Sequence, residues 1–221
     1  MADAKPLTSQ VISFLLLLKS YMSKVRTTNC VAADGYTRSE AAVAIFIQKE
    51  VDSRRNYARI RALRSSSDGF KDVGITHPTR QTQQILLEKA YEDAGVDPAH
   101  VTYFEAHGTG TPAGDPEEIH AVHRIFCEGK KREKPLLIGS VKSNLGHTES
   151  ASGLCGLAKV IGAMQSGTIP GNLFFNRPNP QFQHLFDGSL KVRVIYTVTQ
   201  KLQRKIRVFV TFAGIVRSKR I

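Results

Sequence analysis

The segment 135–164, PLLIGSVKSNLGHTESASGLCGLAKVIGAM, sets the narrowest limits on how this chain can fold. Its apolar run at 136–140 predicts a buried strand, and the residues from about 150, where only Lys159 is charged, predict a helix buried on nearly all sides. Between them, residues 142–147 predict a polar loop that carries Lys142 and His147. Loops between a buried strand and a buried helix are where α/β proteins commonly place functional groups, so these two side chains are candidates for chemistry.

The flanking sequence extends the same pattern. Apolar residues at 41–48 predict a central strand, and alternating residues at 57–63 predict a second strand paired to it. A helix is expected over 79–93, with Gly95 as its stop, and a strand over 101–106. Asp115 is expected to cap the next helix, with Pro116 in its first turn. Residues 1–30 predict at most a short helix. Strands and helices therefore alternate, which indicates an α/β fold around a largely parallel sheet.

The basic character of the chain is concentrated at one end. Its formal net charge is +12, but residues 191–221 hold nine Lys and Arg residues and no acidic residue, whereas the preceding 190 are nearly balanced. A general nucleic-acid surface is therefore not expected. One hypothesis remains that this basic segment alone makes the chain a binding protein, with strongly salt-dependent affinity for nucleic acid.

Cysteine content and hydropathy indicate the compartment. The three cysteines, Cys30, Cys127 and Cys155, are odd in number and widely spaced, which predicts reduced thiols and a cytoplasmic protein. No stretch reaches the roughly 18 apolar residues that a membrane span needs. We therefore expect neither a membrane partner nor a disulfide framework.

Two motifs allow alternative interpretations. The glycine-rich loop at 107–114 follows a strand and opens a helix, as phosphate-binding loops do. Its spacing is one residue longer than a dinucleotide fingerprint, and the acidic residue expected about 20 positions later is missing, so a dinucleotide site is disfavoured. The following helix carries Glu117, His120, His123 and Cys127 at spacings that metal ligands use, but a polar face directed to water is the favoured interpretation.

His107 and His147 occupy equivalent positions, each after a buried strand and within a glycine-containing turn. With Lys142 beside one of them, they would form a pocket of hydrogen-bond donors able to hold a carbonyl oxygen or an enolate. A structural role for each histidine is the alternative at this point.

Several motifs together resemble the β-ketoacyl synthases, the condensing enzymes of fatty-acid and polyketide synthesis. They are EAHGTGT at 105–111 with GDP at 114–116, GSVKSNLGH at 139–147, DGYTRSE at 34–40 and SDG at 67–69. The residues of these motifs are most similar to those of the ketosynthase of animal multifunctional fatty acid synthases. The resemblance implies a thiolase-like layered α/β fold that is incomplete here, comprising the C-terminal half and a strand pair of the N-terminal half.

The resemblance also implies a site and partners. His107 and His147 would donate hydrogen bonds to the malonyl thioester oxygen, Lys142 would hold the second histidine, and Thr109 and Thr111 would bind the pantetheine arm. Substrates would arrive on the phosphopantetheine of acyl carrier protein, with no cofactor and no metal bound by this chain. A ketosynthase-type dimer is expected in the full-length enzyme.

The sequence departs from the family at both ends. The family's nucleophilic cysteine, in a Thr-Ala-Cys-Ser-Ser turn, has no counterpart, and VTFAG at 210–214 only weakly resembles the family's closing glycine-rich loop. We therefore divide the chain into a divergent segment 1–30, a partial ketosynthase domain 31–190 and a basic divergent segment 191–221. The leading hypothesis is a ketosynthase fragment unable to condense alone, because an acyl chain needs a thiolate to accept it. The alternative is a non-catalytic chain that pairs with a complete ketosynthase.

Overall fold

The structure, a computed structural model, describes residues 10–19, 35–72, 77–173, 175, 177–192 and 208–210, with the backbone alone at 10–19 and 208–210. The strands are β1 (Gln10–Lys19), β2 (Glu40–Lys49), β3 (Arg59–Ile60), β4 (Tyr103–Glu105), β5 (Leu136–Gly139), β6 (Leu190–Val192) and β7 (Val208–Val210). The α-helices are α1 (Arg80–Ala94), α2 (Gly114–Phe126), α3 (Lys142–Leu145), α4 (Ser152–Ser166) and α5 (Gln183–Phe186). Short 3-10 turns lie at Glu50–Asp52, Pro98–His100 and Glu149–Ala151.

A four-stranded parallel sheet forms the centre of the molecule, in the order β6-β5-β4-β7. Phe104 of β4 is in register with Ile138 of β5, and α2 provides the connection between these two strands. All three residues of β4 are buried, as expected for an inner strand of a parallel sheet covered on both faces. The predicted parallel α/β arrangement is therefore confirmed from β4 onward.

Helices cover both faces of this sheet. Phe104 and Ile138 point into one core, with Leu87 of α1 and Phe126 of α2, whereas Tyr103 points into a second core on the side of α4. Successive residues of a strand face opposite sides of a sheet, so one strand contributes to both cores. The result is a helix–sheet–helix arrangement in which the neighbouring parallel strands β4 and β5 end side by side at one edge of the sheet.

The first strands form a separate antiparallel sheet, in the order β2-β1-β3. Three expectations are wrong here. Residues 10–19 form a strand rather than a short helix, and β2 lies at an edge of the described sheet rather than at its centre. Within 57–63 only Arg59–Ile60 is a strand, and it pairs with β1 instead of β2. A continuous apolar run has neither a helical nor a strand period, so the pairing between distant segments decides its structure.

Helix boundaries agree with the sequence pattern at one end and depart from it at another. The helix α1 ends at Gly95, whose φ of 58° is the left-handed conformation that glycine adopts readily. The predicted cap at Asp115 is wrong, because α2 begins at Gly114 and therefore already includes Asp115. The Asp115 carboxylate instead accepts a hydrogen bond from the Gly110 amide at 3.0 Å. The expected loop at 142–147 contains the short helix α3.

Two further expectations concern the ends of the chain and membranes. Most of the basic segment 191–221 lies outside the described residues, as do Cys30 and the rest of 20–34. Among the described residues, no helix is both long enough and apolar enough to cross a membrane.

Candidate active site

The two motif histidines lie together where β4 and β5 end. Because neighbouring parallel strands end at the same edge of a sheet, the loops that follow them meet there. The rings of His107 and His147 have centroids 5.4 Å apart and are inclined at 85°, in an edge-to-face arrangement. The predicted pair therefore forms one cluster, although its members are 40 positions apart in the sequence.

The glycine-rich loop that carries His107 is held from within the protein. The carboxylate of Glu118 on α2 accepts hydrogen bonds from the amides of His107 at 2.7 Å and Gly108 at 2.8 Å. Gly108 has φ of 45°, and an added Cβ would lie 2.9 Å from the Cβ of Ser140, so only glycine fits. These amides are already bound by a carboxylate, so the dinucleotide interpretation of the loop is not supported.

The loop that carries His147 is fixed by the segment 35–39. The His147 amide donates to the Thr37 carbonyl at 2.7 Å, and its carbonyl accepts from the Ser39 amide at 3.0 Å. The Gly35 amide donates to the Gly110 carbonyl of the other loop at 2.8 Å. The segment 35–39 therefore ties both histidine loops together, which gives the DGYTRSE motif a structural role that its sequence alone did not reveal.

Lys142 is also part of the cluster. It is the first residue of α3 and is only 5% exposed. Burial lowers its pKa, and the carboxylates of Glu118 and Glu105 act in the opposite direction. A buried lysine thus lies near two carboxylates, those of Glu118 and Glu105, that were not predicted as part of the site.

Glu105 connects the elements behind the site. One carboxylate oxygen accepts the amide of Val141 at 2.5 Å, and the other accepts the Tyr103 hydroxyl at 2.5 Å and pairs with the Lys159 ammonium at 3.0 Å. Glu105 is 1% exposed. It therefore links β4, the turn that enters α3, and α4. Its place in the EAHGTGT motif was the available signal, but no local pattern indicates its partners, which lie on other elements.

Both histidines are neutral at pH 7. The pKa of His107 is lowered from 6.5 to about 3, chiefly by burial and then by Lys142 and His147. The pKa of His147 is lowered to about 4, by burial, by Lys142 and by Arg38, against the opposing effect of Glu149. The Glu149 amide donates to Nδ1 of His147 at 2.9 Å, so the neutral ring carries its proton on Nε2. His147 is thereby fixed as a hydrogen-bond donor at Nε2.

The two candidate threonines lie on the His107 loop and contact each other. Their hydroxyl oxygens are 3.1 Å apart, and Oγ1 of Thr111 accepts the Gly114 amide at 3.2 Å. Thr109 is buried, and Thr111 is half-buried. The loop thus presents a pair of hydroxyls on the same turn as His107.

The described cysteines are not suited to nucleophilic chemistry. The Cys127 thiol lies 3.6 Å from the Ser189 carbonyl, and burial raises its pKa to about 11. Cys155 is buried in α4, with its sulfur 3.6 Å from the Thr148 hydroxyl. Reactive cysteines need access to solvent, and both of these thiols are buried.

The polar face of α2 does not act as one set of metal ligands. Glu117 pairs with Arg80 at 3.0 Å, while Cys127 contacts Ser189. Its two histidines, His120 and His123, instead contact His184 of α5, which is distant in the sequence.

Comparison with known proteins places this geometry in a family. Residues 57–176, just over half of the chain, match the family described as beta-ketoacyl synthase, C-terminal domain. The chain belongs to the β-ketoacyl synthase family. The matched range contains both histidine loops, Lys142 and the two threonines.

Relatives of this ketosynthase chain occur in two kinds of synthase. It is 45% identical over 164 residues to a highly reducing polyketide synthase of Aspergillus terreus, covering 72% of this chain and 6% of that protein. It is 43% identical over 136 residues to a fatty acid synthase of Anser anser anser, covering 62% of this chain and 38% of that protein. The chain therefore spans a minor part of the relatives it matches.

Solved structures confirm the fold. The ketosynthase from module 1 of the bacillaene synthase of Bacillus amyloliquefaciens superposes with a TM-score of 0.76 at 28% identity, over 91% of this chain and 38% of that one. The prediction of an α/β, partial thiolase-like fold is thus confirmed. These similarities do not distinguish a fatty acid synthase of the animal type, which was the finer prediction, from a polyketide synthase.

Proposed function

We propose that this chain supplies the histidine part of a ketosynthase site, which binds a malonyl thioester delivered by acyl carrier protein and stabilises the enolate formed when the malonyl group loses CO₂. The observation that carries the proposal is the pair of neutral imidazoles, one of them with its proton fixed on Nε2 by the Glu149 amide. Neutral donors can stabilise a developing negative charge without surrendering a proton.

The chemistry follows from that charge. The bond between the malonyl carboxylate and the α-carbon breaks, CO₂ leaves, and the electron pair passes into the enolate, with negative charge on the thioester oxygen. His107 and His147 donate hydrogen bonds to that oxygen in a largely buried setting, where such bonds are worth more than in water. In a complete synthase the enolate carbon then attacks an acyl thioester, and a thiolate leaves.

The other candidate residues have supporting roles in this proposal. After burial, the positive side chain of Lys142 is the next largest cause that lowers the pKa of both histidines and favours their neutral form. The hydroxyls of Thr109 and Thr111 would hydrogen-bond the amide groups of the pantetheine arm. No bound cofactor or metal is needed for these steps, because the substrate carries its own leaving group.

Condensation requires a thiolate in addition. The buried Cys127 and Cys155 do not supply one, so we propose that this chain alone decarboxylates malonyl thioesters and does not extend acyl chains. In a ketosynthase-type dimer or a longer polypeptide, the thiolate would come from elsewhere. The second candidate, a non-catalytic partner chain, predicts binding of the thioester without decarboxylation.

The test uses the full chain with malonyl-coenzyme A as the pantetheine thioester. We expect CO₂ and acetyl-coenzyme A to appear in equal amounts, since water protonates the enolate carbon. His107→Ala and His147→Ala should each lower the rate about 10²–10³-fold, because each removes a donor to the oxyanion. His147→Asn, which keeps a donor, should retain more activity than His147→Ala.

The control is His100→Ala, which removes an exposed histidine on a distant turn and should leave the rate unchanged. If malonyl-coenzyme A binds but the wild-type rate equals that of the double histidine variant, decarboxylation is excluded and the partner-chain function is favoured.

We further propose that the synthase is of the fatty-acid type, supported by the residues of the EAHGTGT and GSVKSNLGH motifs, which resemble those of animal fatty acid synthases. Cells lacking this gene, fed labelled acetate, should lose label from saturated fatty acids. Loss of a polyketide with normal fatty-acid labelling would assign it to the other class.

A further inference from the structure

A second cluster of histidines lies on the outer side of α2, apart from the motif loops. His120 and His123 occupy adjacent positions on the face of α2, and His184 of α5 packs against both. The rings of His123 and His184 are stacked, with centroids 3.5 Å apart and planes inclined by 7°. Nε2 of His184 lies 3.3 Å from Nδ1 of His120. Asp187, directly after α5, completes the cluster.

The spacing of the donor atoms suits a small cation. One ligand atom from each of His123, His184 and Asp187 can be chosen so that all lie within 4.8 Å of one another. Nδ1 of His184 and Oδ2 of Asp187 are 3.5 Å apart. Two ligands at about 2.1 Å from a tetrahedral zinc ion lie about 3.4 Å apart, so this pair is already at the required separation.

The remaining contacts leave the necessary atoms available. The other Asp187 oxygen, Oδ1, accepts the Ser189 amide at 2.8 Å, which orients the carboxylate while Oδ2 faces the histidines. The stacked ring of His123 must turn about its Cβ–Cγ bond to share an ion with His184, and this torsion has a broad energy minimum. His184 and Asp187 are 22% and 52% exposed, so an ion can reach them from solvent.

We propose that His123, His184 and Asp187 bind a divalent transition-metal ion of the zinc type. His184 coordinates through Nδ1, and its Nε2–H donates to Nδ1 of His120, which orients the ring as an outer-shell partner. Two imidazoles and one carboxylate are a zinc donor set that leaves a fourth position for water. The ion fastens α5, and the chain that leads from it into β6, onto α2.

The local charges favour this cluster over the other histidine pair. Asp187 contributes a negative charge, and the adjacent Arg80 and Arg124 are paired with Glu117 and Glu128. His107 and His147 instead lie beside the buried Lys142, which repels a cation. The site proposed here is therefore separate from the enolate pocket and independent of the proposed reaction.

The experiment is titration of the metal-free full chain with Zn²⁺ by calorimetry and with Co²⁺ by visible absorption. We expect one equivalent of either ion to bind, with Co²⁺ showing the intense bands of a four-coordinate site. His184→Ala and Asp187→Asn should each weaken binding at least tenfold, and His120→Ala should weaken it about 10–100-fold, as loss of an outer-shell partner does. Asp187→Asn changes an exposed residue and should fold normally, so this variant tests the site even if His184→Ala does not fold.

Two controls define the site. His100→Ala and the double variant His107→Ala/His147→Ala should bind Zn²⁺ with unchanged affinity. Binding lost in the double variant, binding unaffected by both His184→Ala and Asp187→Asn, or no saturable binding at all would each overturn the proposal. Zn²⁺ should also raise the unfolding temperature of the wild type and not that of Asp187→Asn, because an ion bound only to the native state stabilises it.

Discussion

The chain contains two histidine clusters that differ in what surrounds them. His107 and His147 meet edge to face at the ends of two buried strands, beside the buried Lys142. His123 and His184 are stacked at the surface, beside the half-exposed Asp187. In the first cluster burial and a neighbouring cation keep the rings neutral, which suits them to the proposed donation of hydrogen bonds to an oxygen. In the second, a neighbouring anion and access to solvent suit the rings to a metal ion.

The comparison shows that the neighbouring charge and the degree of burial, rather than the residue type, decide the chemistry of an imidazole. It also shows how differently the two clusters are supported. The first depends on carboxylates that accept buried amides, whereas the second depends on one surface carboxylate. Variants that remove equivalent features from each cluster should therefore have unequal effects.

The largest difference is expected when the supporting carboxylates are removed. Glu118→Ala leaves the amides of His107 and Gly108 without their acceptor and removes one of the carboxylates near the buried Lys142, and should cost about 3–5 kcal/mol of unfolding free energy. Asp187→Ala removes an exposed carboxylate and should cost about 1 kcal/mol or less. Urea unfolding of the metal-free proteins measures both. Equal losses would mean that the two clusters are supported alike.

Glycine substitutions should separate steric fit from backbone conformation. Gly146 and Gly188 both have positive φ, of 77° and 82°, so alanine strains either backbone by about 1 kcal/mol. A Cβ at Gly146 would lie 2.7 Å from the Thr37 carbonyl oxygen, whereas a Cβ at Gly188 meets nothing within 4 Å. We expect Gly146→Ala to cost about 2–3 kcal/mol and to displace His147, and Gly188→Ala to cost about 1 kcal/mol. A decarboxylation rate lost only in Gly146→Ala would locate the effect at the first cluster.

Stability should depend on pH chiefly through the first cluster. In the unfolded chain both imidazoles gain a proton near pH 6.5, but in the native state they do so only near pH 3 for His107 and pH 4 for His147. The unfolded state therefore binds more protons between about pH 6 and pH 4. As the pH is lowered through this range, the unfolding free energy decreases by about 1 kcal/mol per pH unit for each histidine. The double variant His107→Asn/His147→Asn should flatten this slope.

The matched control is His120→Asn, which removes a half-buried imidazole whose pKa is lowered mainly by burial. It should flatten the slope less than the double variant does. A double variant with the wild-type slope would show that the first pair already titrates near pH 6.5 in the native state.

The sequence predicted the central fold and the first cluster well, for a physical reason. The strands β4 and β5 and the helices after them have short-range signals, such as buried apolar runs and the glycine that ends α1, and neighbouring parallel strands bring their end loops together. Once those strands were identified, the meeting of His107 and His147 followed. The resemblance to the ketosynthases added the expected roles.

What the sequence did not predict depends on contacts between distant segments. The pairing of β1 with both β2 and β3 has no local signal, because the Leu-rich run of β1 fits a helix equally well. The second histidine cluster was not predicted for the same reason. His120 and His123 were visible on one helix face, but His184 lies 61 residues beyond His123, and only the packing of α5 on α2 brings it to them.

The smallest effect should come from Arg38, which lies at the edge of the first cluster. Its guanidinium pairs with the Glu149 carboxylate at 3.0 Å, with the two side chains 76% and 45% exposed, so Arg38→Ala should cost less than about 1 kcal/mol of unfolding free energy, and less still at high salt. Because Arg38 lowers the pKa of His147 and Glu149 raises it, the variant should raise that pKa, yet leave it below 6.5, since burial is the largest cause of the shift. An NMR titration of the imidazole Cε1–H signals measures this. A pKa raised to about 6.5 would mean that surface charge, rather than burial, controls the pair, and the contrast between the two histidine clusters would then rest on charge alone.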